Sequence, residues 1–166
     1  MVGSAPLRLF TVMMAGLLLQ LTVFVDLRVV GVAPELLALF AVAAGLLAGP
    51  DRGPYVAFGA GLLWDVYLPT PLGVSAVVFA VTAYGVARFS EELFQESRLQ
   101  VAAILGLASG LSVIGYALLG SVVGGSGLIS FRMLGVAVVV SMVNGLLTPI
   151  IVPAVSWALE GKRVFQ

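Results

Sequence analysis

The residues in this chain that could do chemistry are few and far apart. Eight acidic and eight basic residues are scattered along 166 positions, with no cysteine and no histidine. That excludes disulfides, thiolate or imidazole metal ligands, thiol nucleophiles and histidine proton relays. Neither a Ser–His dyad nor an H-E-x-x-H zinc helix can be built, which removes the usual membrane-protease chemistries. No acidic cluster has metal-ligand spacing, and no glycine-rich phosphate loop carries its lysine. The sequence therefore predicts no catalytic residue, no metal site, no cofactor and no enzyme activity. Zero net charge without a basic cluster removes nucleic acid as a partner. A channel or transporter would normally show paired intramembrane charges or a run of discontinuous helices. A single acid and one proline-bearing helix do not make that case.

What remains is a small set of polar positions in apolar surroundings. Asp65 closes an apolar stretch that begins at Tyr55, and the turn Pro69 to Gly73 follows it directly. Ala57, Gly61 and Asp65 share one helical face at i, i+4 and i+8, a notch of two small residues below a carboxylate that lets another helix approach closely. An acid at such a depth is a functional candidate: a docking point for a partner's helix, or an anchor for the following turn. The plainer alternatives are an ion pair with Arg28 or Arg132 and interfacial solvation. Trp64 and Tyr67 read as an aromatic belt. Asn144 falls near the middle of the last apolar run, where an unpaired amide is costly, and reads as an interhelical hydrogen bond or a ligand contact. The pairs Gly45/Gly49, Gly106/Gly110 and Gly120/Gly124 have G-x-x-x-G spacing and read as packing within the chain or as a dimer face.

These positions must be held by membrane helices. The chain is 61% hydrophobic and 10% charged, with mean hydropathy +1.17, against about 25% charged in a typical soluble domain. Six apolar runs, 7–25, 32–47, 54–68, 73–89, 101–123 and 133–159, predict one all-α integral membrane domain over 1–166, a bundle of six transmembrane helices. The first run is too long for a signal-peptide core, about 19 residues against roughly 7–15, and lacks a small-residue cleavage site. Pro34 suits the start of the second run, placing Glu35 in its first turn. Ala48 to Pro54 reads as a tight turn. The third run is short: Pro54 to Asp65 spans about 17 Å against a hydrocarbon core of about 30 Å. Asp65 is thus expected inside the outer leaflet's edge, or the turn after it re-enters the membrane. Ser90 to Gln100 is a polar connector in which Ser90 would cap a helix start bearing Glu91 and Glu92. Pro149 and Pro153 should kink the last helix.

With the N-terminus inside, Arg8, Arg52, Arg88, Arg98, Lys162 and Arg163 face the cytoplasm, and Arg28 and Arg132 face out. The positive-inside rule then places both termini in the cytoplasm and Asp65 on the outer side.

Two stretches carry a family resemblance. GAGLLWDVYLPTPLG, Gly59 to Gly73, resembles the signature of the bacterial rod shape-determining protein MreD family, a glycine-bearing third helix ending in an Asp followed by a Pro-Leu-Gly turn. NGLLTPIIVP, Asn144 to Pro153, is similar to the Asn-to-Pro pattern of that family's last helix. The resemblance implies a bundle similar to the six-helix substrate-binding subunit of energy-coupling-factor vitamin transporters. It also implies a non-catalytic subunit of the cell-elongation machinery in the bacterial cytoplasmic membrane, supporting sidewall peptidoglycan synthesis. The implied partners are the bilayer and MreC, a protein with one membrane helix and an outer coiled coil. Through MreC the implied contacts extend to MreB, RodA and its transpeptidase. The family's acid corresponds to Asp65, its turn to Pro71, Leu72 and Gly73, and its last-helix pattern to Asn144 and Pro149. The competing reading, a vitamin-type substrate-binding subunit, would need an A-x-x-x-A pattern in the first helix and a polar outer pocket. Residues 7–25 lack the first, and Trp64, Asp65, Tyr67 and Asn144 are a meagre kit for the second.

Overall fold

A computed structural model describes residues 5–24, 32, 34–68, 71–92, 97–123 and 130–160. Its elements are α1 (Ala5–Thr22), α2 (Leu36–Asp65), α3 (Val74–Glu92), α4 (Arg98–Val122) and α5 (Phe131–Glu160). The chain is all-α, with five helices among the described residues where the sequence predicts six. Four of them, α1, α2, α4 and α5, are long and apolar enough to cross a membrane, while the apolar part of α3, Val74–Ser90, is shorter.

The difference in count arises at the turn expected over 48–54. Pro50 stands at a first-turn position, where its missing N–H costs nothing, so helical backbone resumes at once. The interruption is confined to Gly49, at φ 75° and ψ −179°, a conformation open essentially to glycine alone. That one residue reverses the chain. A Cβ on Gly53 would lie 2.6 Å from the Gly45 Cα, whereas eight residues of straight helix would hold them about 12 Å apart. α2 is therefore two arms, 36–48 and 50–65, folded back on one another.

The first arm is the axis of the fold. Leu36 through Ala44 are all buried, as expected of a helix that is apolar all round. Close approach is built from small residues: Gly45 lies against the Ala83 backbone of α3, and Gly106 and Gly110 of α4 lie against Ala137, Ser141 and Gly145 of α5. Because 106 meets 141 and 145 while 110 meets 137 and 141, α4 and α5 run antiparallel.

These contacts sort the arginines by end. The Arg8 guanidinium lies 5.8 Å from the Trp157 ring centroid, joining the start of α1 to the end of α5. The start of α4 with Arg98 is at that end, as are Arg88 near the end of α3 and Arg52 at the Gly49 corner. Arg132 lies at the other end, with Asp65 and the 71–73 turn.

Two local expectations are corrected. Ser90 caps no new helix: α3 continues to Glu92, and the Ser90 hydroxyl donates to the Ala87 carbonyl at 2.9 Å. The cap of α4 is Ser97, in extended backbone, whose Oγ accepts from the Gln100 N–H at 3.2 Å. Glu35 is not in the first turn but immediately before it, its carbonyl accepting from Leu39 N–H at 3.1 Å. α5 continues as helix through Pro149 and Pro153. Asp26, Arg28, Pro69, Gly124, Lys162 and Arg163 lie outside the described residues.

Candidate functional site: two buried polar joints

Asp65 is 2% exposed and ends the second arm of α2. Its Oδ2 accepts from the Gly73 N–H at 2.8 Å and the Ala76 N–H at 3.3 Å, and its Oδ1 from the Ser75 N–H at 3.0 Å. The first N–H groups of any helix lack intrahelical partners. Here one side chain from the preceding helix serves three such donors at the start of α3, and its negative charge meets the positive end of the helix dipole. Gly73, at φ 106°, turns the chain so that its N–H faces back to the carboxylate.

The notch beneath Asp65 is occupied by the chain itself. Ala57 is fully buried, and a Cβ on Gly61 would collide with the backbone of Ala76 and Ser75. α3 thus fills the face formed by Ala57, Gly61 and Asp65. Pro71 and Leu72 point the other way: both are exposed, Leu72 at 71%. Tyr67 is exposed, while Trp64 is half-buried and packs on the core.

The second joint gathers α1, α2 and α5. The Leu36 N–H, an unpartnered donor at the start of α2, gives its hydrogen bond to Gln20 Oε1 at 2.6 Å. The Glu35 carbonyl accepts from Asn144 Nδ2 at 3.0 Å. Both side chains are buried, Asn144 completely. Thr148 Oγ1 donates to the Asn144 carbonyl at 3.0 Å, and Pro149 beside it is exposed. Asn144 makes the interhelical bond that is one of its two sequence readings, and Gln20 faces another helix, as a polar residue in an apolar run must. The available signal was its spacing: Gln20 follows the buried Leu17 by three residues, on the same face of α1. Thr22, also polar, donates within its own helix, to Leu18 O.

Both joints are aimed at backbone. The Asp65 oxygens are engaged by N–H groups, and Asn144 Nδ2 and Gln20 Oε1 bond the 35–36 peptide. Among the described residues, no group of three or more acidic, cysteine or histidine side chains could hold a metal ion. What this arrangement does chemically is fix where helices begin.

The helices and joints define an all-α, multi-pass membrane protein in which Gln20, Asp65 and Asn144 each bond backbone of its own chain. The family model of the rod shape-determining protein MreD matches residues 5–158, nearly the whole chain, and the chain belongs to that family. The match takes in both joints and the turn between α2 and α3. No curated protein and no solved structure matches the chain.

Proposed function

We propose that this protein is a non-catalytic scaffold of the rod complex that binds MreC in the cytoplasmic membrane and so supports sidewall peptidoglycan synthesis. The observation that carries the reading is the family match over nearly the entire chain. The joints are compatible with it, because a scaffold needs a rigid surface rather than a reactive pocket. RodA, its transpeptidase and MreB belong to the same complex, reached in part through MreC.

In this reading each arm of α2 crosses the membrane, giving six crossings and a bundle like the energy-coupling-factor substrate-binding subunit. Arg8, Arg52, Arg88 and Arg98 share one end of the bundle with the start of α1 and the end of α5, which supports a cytoplasmic assignment for that end. Asp65 then holds the outer turn, and the exposed pair Pro71–Leu72 is a contact for the outer part of MreC. Ala57, Gly61, Gly73, Asn144 and Pro149 contribute by fixing that turn and the helices beneath it.

The test is purification from native membranes through a C-terminal tag, with mass spectrometry of what accompanies the protein. A protein with one membrane helix and a coiled coil is expected, and Leu72→Glu should lower its yield while leaving the bundle folded. Recovery of ATPase subunits, or of a retained small molecule, would overturn the proposal.

A further inference from the structure

A groove between the first turns of α4 and the second half of α5 lies beside the second joint, touching it at Thr148. Its volume is about 430 Å³, and its walls are formed by Val101, Ala102, Leu146, Pro149 and Pro153, with Arg98 at one end. It exists because the facing residues are small: Gly145 presents no side chain to α4 and Ala102 only a methyl. The walls are almost wholly apolar. Leu146, Pro149 and Pro153 are exposed, so nothing within the described chain covers them.

The position of the single charge selects the occupant. Arg98 is the first residue of α4, where the apolar span begins, and it is exposed. It lies at the end of the bundle that also carries Arg8, Arg52 and Arg88. An acyl chain fits the apolar walls, and a phosphate fits the guanidinium at the level where a span meets the headgroups. Arg98 already engages another group, but its five N–H donors leave room for phosphate oxygens. We propose that this groove is a binding site for an anionic phospholipid, its phosphate at Arg98 and one acyl chain along Ala102, Leu146 and Pro149.

The test is native mass spectrometry of the full chain in mild detergent, titrated with phosphatidylglycerol or phosphatidylethanolamine of the same acyl composition. The wild type should retain phosphatidylglycerol in preference by roughly five-fold, the scale of one basic side chain at a membrane surface. Arg98→Gln should abolish that preference, and Ala102→Phe, which fills the groove without touching the charge, should reduce retention of both lipids. Arg132→Gln, at the opposite end, should change neither. Helical content by circular dichroism confirms that each variant is folded. Equal retention of the two lipids by the wild type would overturn the proposal and leave the groove to a partner's helix. An Arg132→Gln effect as large as that of Arg98→Gln would overturn it in favour of non-specific charge.

Discussion

Replacing Asp65 should damage this protein in proportion to the number of acceptor oxygens removed. Asp65→Ala strips three N–H groups, those of Gly73, Ser75 and Ala76, of their acceptor, in a place that water reaches poorly. Loss of a helix cap costs about 1–2 kcal/mol, and each buried donor left unpaired about 1–3 kcal/mol. Hydrogen bonds between membrane helices average nearer ~0.6 kcal/mol, because the unfolded chain finds other partners. Taken together, the loss should be about 2–4 kcal/mol. For a chain of this size ~1 kcal/mol shifts the midpoint by about 2–4 °C, so Asp65→Ala should lower it by roughly 5–15 °C. Asp65→Asn keeps one carbonyl oxygen and should fall about halfway. The assay is thermal unfolding in mild detergent, followed by circular dichroism and by loss of the monodisperse peak. A midpoint for Asp65→Ala within about 1 °C of the wild type, against the shift worked from the chain's size, would refute the reasoning. Asn costing as much as Ala would show that charge, not the count of acceptors, holds the joint.

The remaining predictions concern the corner, the second joint and the orientation. Gly49→Ala must hold a side chain at a backbone conformation reserved for glycine and should cost about 1–3 kcal/mol. Gly85→Ala, which meets nothing within 4 Å in an ordinary helix, should instead stabilise by about 0.5–1 kcal/mol; both are read by the same unfolding assay. Gln20→Leu should cost more than Asn144→Leu, because among the described residues Gln20 is the acceptor of the Leu36 N–H, whereas the Glu35 carbonyl keeps its bond from Leu39. Each loss should be about 1–2 kcal/mol. The chain contains no cysteine, so single cysteines report topology without background. In intact spheroplasts an impermeant maleimide should label Leu72→Cys and spare Asp51→Cys, and the opposite pattern would reverse the proposed orientation.

Much of the fold is legible in the sequence because the bilayer makes hydropathy decisive. Asp65 and the turn after it stand out as polar interruptions, and the bonds from Gly73, Ser75 and Ala76 account for that acid locally. The Gly49 corner is harder to read. Seven residues rich in glycine and proline look like a loop, yet one glycine with positive φ suffices to reverse the chain, and Pro50 is compatible with immediate resumption of helix. The connector before α4 is hard to read because Ser90 and Ser97 are both serines ahead of helix-forming residues: the sequence suggests a separate helix start at Ser90 and an apolar run from 101, whereas α4 begins at Arg98 behind Ser97. Only tertiary packing shows that α3 extends past Ser90. The partner of Gln20 is hidden for a related reason: its acceptor role is defined by the start of α2, sixteen residues later. The face of Ala57, Gly61 and Asp65 reads as a helix-docking or turn-anchoring notch, but periodicity cannot say whether the helix against it belongs to a partner or, as at Gly61, to α3.

The central claim is that this bundle works as a scaffold for cell elongation, through the turn that Asp65 holds. Its most direct test is depletion of the protein in its own host, with re-expression of the wild type, Asp65→Ala or Leu72→Glu, measuring cell width and sidewall incorporation of a labelled peptidoglycan precursor. The account predicts that depleted cells round up, that the wild type restores a uniform width, and that neither variant does so although Leu72→Glu still reaches the membrane in normal amount. Depleted cells that keep their width and their sidewall incorporation, or full restoration by both variants, would contradict it.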